Sequence, residues 1–161
     1  MDNLEELAAH LGHLLLEQDL LIATAESCTG GLLAEIITRI PGSSQWFERG
    51  FISYSNLAKH EMLEVSHEIL VQHGAVSEAT ASAMALGCLD NSEADVGVAI
   101  TGIAGPEGGS QDKPVGTVCL AWQVKQQETV VKRVFFKGNR LDIRTQSCEL
   151  ALKELIILLT Q

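Results

Sequence analysis

The stretch Ala23–Gly31, with the sequence Ala-Thr-Ala-Glu-Ser-Cys-Thr-Gly-Gly, constrains the fold more than any other part of the chain. An apolar run from Leu20 to Ala25 leads into it. A stripe with helical period leads out of it, at Leu32, Leu33, Ile36, Ile37 and Ile40. A buried strand that turns directly into a helix is typical of α/β folds, in which ligands bind at the carboxyl edge of the sheet.

The polar turn between these two elements has two interpretations. In the functional one, the helix start offers backbone N–H groups to a ligand, Gly30 and Gly31 permit close approach, and Ser27 and Thr29 supply hydroxyls. In the structural one, Thr29 is the helix N-cap and the glycines serve packing between helix and sheet. The local pattern alone leaves both open.

Composition and charge narrow the class of protein. A chain of 161 residues, 46% of them hydrophobic and 20% charged, predicts one globular domain over residues 1–161. A net charge of −10 disfavours nucleic acid and anionic membrane surfaces as partners, but one phosphate is still within reach of a few cations. No apolar run approaches the roughly 20 residues of a membrane span, and the acidic N-terminus does not resemble a signal peptide, so a cytoplasmic location is expected. The four widely spaced cysteines argue against a zinc site or a disulfide framework.

Strands and helices alternate through most of the chain. Strands are predicted at 50–54, 95–100, 115–124 and 128–136, the last two as a hairpin. Helices are predicted from Leu4 to Leu15, after Ser55, at 68–72, from Ser77 to Leu89 and from Arg140 onward. We therefore expect a three-layer α/β/α fold with a mixed sheet. The last helix is apolar over more than half its circumference, which indicates burial between the sheet and a second subunit.

A second candidate site segment is the loop at 101–114, which follows the apolar run Asp95–Ile100. Its four glycines and two prolines suit a loop that wraps a ligand with N–H groups. It is neither a Walker loop nor a dinucleotide fingerprint. Tyr54 and Lys59 would reach the same sheet edge, although a half-buried tyrosine and a solvated lysine are the plain alternatives.

Several of these segments occur together, in this order, in one known family. They are 24–31 (TAESCTGG), 46–50 (WFERG), 54–56 (YSN) with Lys59, 74–77 (GAVS), 101–106 (TGIAGP) and 113–117 (KPVGT). The chain closely resembles the CinA C-terminal-domain family, the nicotinamide-nucleotide amidohydrolases, from its first helix to its last. Long members carry a further N-terminal domain, and this chain resembles the stand-alone bacterial form.

The resemblance implies hydrolysis of the carboxamide of nicotinamide mononucleotide to nicotinic acid mononucleotide and ammonia, in pyridine nucleotide salvage. It implies a catalytic set of Ser27, Tyr54 and Lys59, no metal or other cofactor, and a homodimer or larger homo-oligomer. No histidine lies in the matching segments, so a Ser-His-Asp triad is not expected. A lysine base must be neutral, which requires a pKa lowered from about 10.4.

The sequence leaves two features of the site undecided. Ser27 is the expected nucleophile, but the roles of Lys59 and Tyr54 are not separated. Phosphate and amide would be held by backbone N–H groups of two segments, and their division of labour is undecided; the candidates are Thr29, Gly30, Gly31, Thr101, Gly102, Gly105 and Gly109. A non-catalytic nucleotide-binding module and a purely oligomeric scaffold are the alternative functions.

Overall fold

The computed structural model describes residues 2–161, and for Asp2 it describes the backbone alone. Six helices, five strands and one short 3₁₀ turn (Ser43–Gln45) follow one another along the described chain. In order they are α1 (Asp2–Glu17), β1 (Ile22–Glu26), α2 (Leu32–Thr38), β2 (Phe47–Ile52), α3 (Asn56–Leu63), α4 (His67–His73), α5 (Glu78–Asp90), β3 (Val96–Gly102), β4 (Thr117–Val124), β5 (Val130–Phe135) and α6 (Arg140–Thr160).

The five strands form one mixed sheet in the order β2-β1-β3-β4-β5. Strand β1 pairs in parallel with both β2 and β3, while β3–β4 and β4–β5 are antiparallel. All five residues of β1 and the first six of β3 are buried, as the continuous apolar runs predict for central strands. The carboxyl ends of β1, β2 and β3 therefore meet at one edge of the sheet.

Alternate strand residues face two separate cores. One face packs against α1, α2 and α6 through large side chains such as Ile22, Val98 and Trp122. The other face is built from small residues such as Ala25, Ala99 and Ala121, and it packs against α5 with contributions from α3 and α4. This arrangement confirms the predicted three-layer α/β/α fold.

Small residues along α5 let a neighbouring helix come close. A side chain on Gly87 would collide with the backbone carbonyl of Leu63 at the end of α3. The glycine therefore sets the separation between α5 and α3. Because α3 also carries Lys59, this close packing fixes the depth at which that lysine enters the fold.

One predicted strand boundary is wrong. The sequence placed the second strand at 50–54, but β2 runs from Phe47 to Ile52, so Tyr54 lies beyond the strand end. Phe47 and Arg49 pair with Ile22 and Ala23 across an irregular register, and this edge strand is only half-buried. Its first half therefore lacks the alternation of apolar residues that marks a strand in a sequence.

The apolar face of α6 is largely covered within the chain itself. Buried positions from Ile143 to Leu159 lie against α1 and the sheet, and the indole N–H of Trp122 donates to the carbonyl oxygen of Ala151 at 3.0 Å. Leu141 and Ile157 stay exposed. The predicted second subunit thus has less apolar surface to cover than the sequence indicated, and the oligomeric state stays a prediction.

None of the helices in the described part of the chain is long and apolar enough to cross a membrane.

Candidate active site

A cleft of about 190 Å³ opens at the sheet edge where β1, β2 and β3 end. Five of the residues predicted for the site line it, namely Ser27, Tyr54, Lys59, Thr101 and Gly102. The remaining lining residues are Cys28, Ala75, Val76, Ala104 and Arg140. The cleft thus joins the turn after β1, the start of α3, the α4–α5 connection, the loop at 101–114 (the glycine loop) and the start of α6.

Ser27 and Lys59 are in direct hydrogen-bond contact at the floor of the cleft. The Nζ of Lys59 donates to Ser27 Oγ at 2.8 Å and to the main-chain carbonyl oxygen of Tyr54 at 2.7 Å. Ser27 Oγ lies 3.2 Å from the same carbonyl oxygen. The N–H of Ser27 donates to the carbonyl oxygen of Ile100 at 2.9 Å, so the serine is fixed to β3 as well. A hydroxyl beside a lysine nitrogen is the arrangement of a nucleophile and its base.

Lys59 is buried although it is a lysine. Its residue is 1% exposed, and it enters the fold from α3, whose N-cap is Ser55. Among the described residues, no carboxylate lies within ion-pair distance of its Nζ. Burial therefore lowers the pKa of Lys59 from 10.5 to about 8, against a smaller opposing effect of Cys28. A lysine with this pKa is partly neutral at physiological pH and can accept a proton.

The thiol of Cys28 adjoins Ser27 but is poorly suited to attack a substrate. Burial raises the pKa of the Cys28 thiol to about 12, with Arg144 opposing the shift. Because the thiolate is the reactive form of cysteine, a thiol with this pKa is inert. The serine hydroxyl is therefore the candidate nucleophile of this turn.

Tyr54 contributes to the site in a way that the sequence did not indicate. Its main-chain carbonyl faces Ser27 and Lys59, whereas its side chain leaves the residue 57% exposed at the mouth of the cleft. There the phenol oxygen accepts a hydrogen bond of 3.2 Å from Nη2 of Arg140. The same guanidinium donates from Nη1 to the carbonyl oxygen of Gly105 at 2.7 Å. Arg140 thus joins the mouth of the cleft to the glycine loop.

The turn after β1 is closed by Glu26 and not by a threonine cap. The N-cap of α2 is Gly31, in a left-handed conformation at φ 106°, and no side chain at that position caps the helix. The carboxylate of Glu26 instead accepts from the N–H groups of Gly31 at 3.2 Å and of Leu33 and Ala34, each at 2.9 Å. The interpretation of Thr29 as N-cap is therefore wrong. Gly30 also has a positive φ, 57°, so both glycines are needed for the backbone of the turn.

The glycine loop is held in place by a hydrogen bond and by close packing. Thr101 Oγ1 donates to the carbonyl oxygen of Ala75 at 2.8 Å and so holds one wall of the cleft. Gly105 and Gly109 have φ of 75° and 84°, and a side chain on Gly105 would collide with Val115. These two glycines lie outside the cleft lining, as do Thr29, Gly30 and Gly31. Their predicted roles in substrate binding stay predictions.

The sequence analysis did not identify three charged residues of the site region. Arg140 and Arg144 lie on α6, and Glu26 lies inside the TAESCTGG motif itself. A cation on the first turn of a helix after a Gly-Asn cap is a weak signal for Arg140. The sequence gives no signal that α6 returns to the Ser27 turn.

Comparisons of sequence and fold with known proteins point to one family. The profile of the CinA C-terminal domain family matches residues 4–159. "Nicotinamide-nucleotide amidohydrolase PncC" of Escherichia coli is 49% identical over 152 residues, which are 94% of this chain and 92% of that protein. A "CinA-like protein" of Chlorobium chlorochromatii is 49% identical over 152 residues, but the match covers 36% of its length.

A solved structure supports the same relationship. The competence/damage inducible protein CihA of Agrobacterium tumefaciens superposes with a TM-score of 0.95 at 44% identity, over 99% of this chain and 96% of that one. The agreement of sequence profile, relatives and fold leaves one conclusion. The chain belongs to the CinA C-terminal domain family.

Proposed function

We propose that this protein hydrolyses the carboxamide of nicotinamide mononucleotide to nicotinic acid mononucleotide and ammonia. The observation that carries the proposal is the contact between Ser27 Oγ and the buried amine of Lys59, 2.8 Å apart in a cleft that also holds an arginine. Relatives about half identical to this chain are named nicotinamide-nucleotide amidohydrolase. Hydrolysis of an amide requires a nucleophile, a base and donors for the oxyanion, and the cleft offers all three.

In the first step neutral Lys59 takes the proton of Ser27, and Oγ attacks the amide carbon. The carbonyl of Tyr54 holds the lysine by accepting one of its N–H groups, which aims the nitrogen lone pair at the serine. The developing oxyanion needs backbone donors. Among the described residues, the N–H groups of Cys28 and Thr29 donate to no other residue, and we assign them this role.

The second half of the cycle restores the enzyme. The ammonium of Lys59 returns its proton to the amide nitrogen, the C–N bond breaks, and ammonia leaves with Ser27 acylated. A water molecule then gives a proton to neutral Lys59 and attacks the acyl carbon. As this adduct collapses, the ammonium of Lys59 returns the proton to Ser27 Oγ, and the released carboxylic acid ionises to the carboxylate. The lysine serves as base and acid in turn, which favours Lys59 over the Tyr54 phenol for both proton transfers.

Arg140 is suited to bind the phosphate of the substrate. A cleft of about 190 Å³ is smaller than the roughly 300 Å³ or more that is typical of ligand pockets. It would therefore hold the pyridine carboxamide, while the ribose and phosphate of the substrate extend to the mouth. Arg140 is exposed at this mouth. Two of its five N–H groups are used by Tyr54 and Gly105, so three remain for a phosphate.

The remaining predicted binding residues would support the site through the backbone. Thr29 contributes its N–H, while Gly30 and Gly31 give the turn its left-handed conformation. Gly102 lines the cleft floor, and Gly105 presents its carbonyl to Arg140. Gly109 shapes the outer part of the loop. On this basis the phosphate is held by Arg140 and not by the N-terminus of α2, because Glu26 already occupies that helix end.

A non-catalytic nucleotide-binding module would not need the buried lysine. Desolvation of Lys59 destabilises the folded protein, and a binding site gains nothing from a base beside a serine. The test is to incubate the protein with nicotinamide mononucleotide, nicotinamide riboside and free nicotinamide, and to identify products by chromatography and mass. We expect nicotinic acid mononucleotide and ammonia, with kcat/KM lower for the two compounds that lack phosphate. Binding of the nucleotide without any ammonia release would favour the binding module.

A further inference from the structure

The segment from Ser27 to Gly31, here called the nucleophile turn, is held by two charged side chains, Glu26 and Arg144. Glu26 precedes it and is 1% exposed. Its two carboxylate oxygens accept three N–H groups at the end of the turn and the start of α2, from Gly31, Leu33 and Ala34. A buried carboxylate with three N–H partners at a helix N-terminus is strongly stabilised there.

Arg144 reaches the same turn from α6, 115 residues further along the chain. Its Nη2 donates to the carbonyl oxygen of Thr29 at 2.9 Å, and its Nε to that of Cys28 at 3.2 Å. Glu26 therefore holds N–H groups of this region and Arg144 holds carbonyls. Arg144 thereby holds the 28–29 and 29–30 peptide groups, and Glu26 holds the 30–31 peptide group after them. The N–H groups of Cys28 and Thr29 donate to no other described residue.

We infer that Glu26 and Arg144 are positioning residues that together set the orientation of Ser27 Oγ and of the Cys28 and Thr29 N–H groups. The inference rests on the proposed function. Neither residue lines the cleft, so neither would contact substrate. Both act through the backbone of the nucleophile turn, and the loss of either one would free the turn.

The first test uses Glu26→Gln and Arg144→Met. Glutamine keeps the size of the side chain and one acceptor oxygen but turns an NH₂ group towards another N–H, and methionine keeps the length of the arginine stem. A displacement of about 1 Å at a nucleophile lowers turnover by roughly 100-fold, so we expect kcat to fall about 10- to 100-fold in each variant with KM unchanged. Because both residues act on one turn, the double variant should be scarcely slower than either single variant.

Two matched controls separate positioning from loss of folded protein. Ser66→Ala removes the side-chain cap of α4, and Arg49→Met removes an arginine that donates to the carbonyl oxygen of Asn91, both outside the cleft. Melting temperatures are measured for all variants. We expect the controls to keep the kcat of the unmodified protein even where their melting temperatures fall as much as those of the test variants. Equal losses of kcat in controls and test variants would overturn the inference.

A second readout does not depend on the nucleotide. The rate at which a small sulfonyl fluoride modifies Ser27, followed by mass spectrometry, reports the reactivity of the serine alone. We expect this rate to fall by the same factor as kcat in both variants and to stay unchanged in the controls. Unchanged labelling in folded Glu26→Gln and Arg144→Met would overturn the inference. If Glu26→Gln does not fold, Arg144→Met decides, since Arg144 is only half-buried on α6. If the unmodified protein is labelled at Ser27 but releases no ammonia, the proposed function fails, while the labelling rates still decide whether Glu26 and Arg144 position Ser27.

Discussion

Replacement of Lys59 by methionine separates the catalytic role of the amine from its effect on stability. Methionine keeps an apolar stem in the buried channel but removes the base. With a pKa of about 8, roughly a tenth of Lys59 is neutral at pH 7. We therefore expect kcat/KM of the unmodified protein to rise about tenfold per pH unit below 8 and to level off above it. Lys59→Met should lose this pH dependence together with about 100- to 10,000-fold of the turnover.

The same pKa shift predicts the sign of the stability change. The folded protein holds Lys59 at a pKa of about 8, while the unfolded chain holds it near 10.5, so burial of this lysine destabilises the fold by about 3 kcal/mol at neutral pH. This penalty is fully present below pH 8 and vanishes as pH rises towards 10.5. Methionine removes it but also removes hydrogen bonds to Ser27 and Tyr54, about 1 kcal/mol each. We expect Lys59→Met to be about 1 kcal/mol more stable at pH 7 and less stable than the unmodified protein at pH 10.

The assay measures product by chromatography from pH 6 to 9, and unfolding by denaturant at pH 7 and 10. Lys125→Met, an exposed lysine in the β4–β5 hairpin, serves as the control and should change neither the activity profile nor the stability. A pH limb near 8 that persists in Lys59→Met would refute the assignment of the base. At each pH, the free energy of unfolding of Lys59→Met is compared with that of the unmodified protein. A difference that is less favourable to the variant at pH 7 than at pH 10 would refute the desolvation argument.

Three further predictions follow from the cleft and its surroundings. Arg140→Met should raise KM for nicotinamide mononucleotide about 10- to 100-fold with a smaller effect on kcat, since a charge-assisted bond contributes about 1.5–3 kcal/mol; unchanged KM would remove Arg140 from phosphate binding. Gly105→Ala should lower the free energy of unfolding by at least about 1 kcal/mol, measured by denaturant titration, because φ is 75° and the new side chain collides with Val115; full stability would contradict this conformation. Light scattering at micromolar concentration should show a homo-oligomer, since apolar side chains at Leu141 and Ile157 stay exposed, and a monomer would refute that expectation.

The sheet could be predicted because its signals are local, whereas the pairing of Ser27 with Lys59 was expected only from the family resemblance. Continuous apolar runs identify β1 and β3 as central strands, and parallel strands bring their carboxyl ends to one edge. Ser27 follows β1 directly, and Lys59 lies in the first turn of α3, seven residues after the end of β2. These elements bring Ser27 and Lys59 to one edge of the sheet, but they do not distinguish a buried lysine from a solvated one.

The rest of the site depends on contacts that no local pattern encodes. Arg144 reaches the nucleophile turn only because α6 packs across α1 and the sheet. The capping role of Glu26 becomes visible only when α2 is known to begin at Leu32, two residues later than a Thr29 cap implies. The resemblance implied Tyr54 as a member of the catalytic set, but its main-chain carbonyl makes the contact with Lys59, and backbone groups carry no residue-specific signal.

The central claim is that Ser27 Oγ attacks the amide carbon, and ammonia release by Ser27→Ala tests it most directly. The variant removes one oxygen from a 7% exposed residue and leaves Arg140 and the cleft lining in place, so it should fold and bind nucleotide. Measured beside the unmodified protein at pH 8.5 with saturating nicotinamide mononucleotide, we expect at least a roughly 1000-fold loss of ammonia release at an unchanged nucleotide dissociation constant. Ammonia release by folded Ser27→Ala within tenfold of the unmodified protein would contradict the account and assign the attack to a water molecule activated by Lys59.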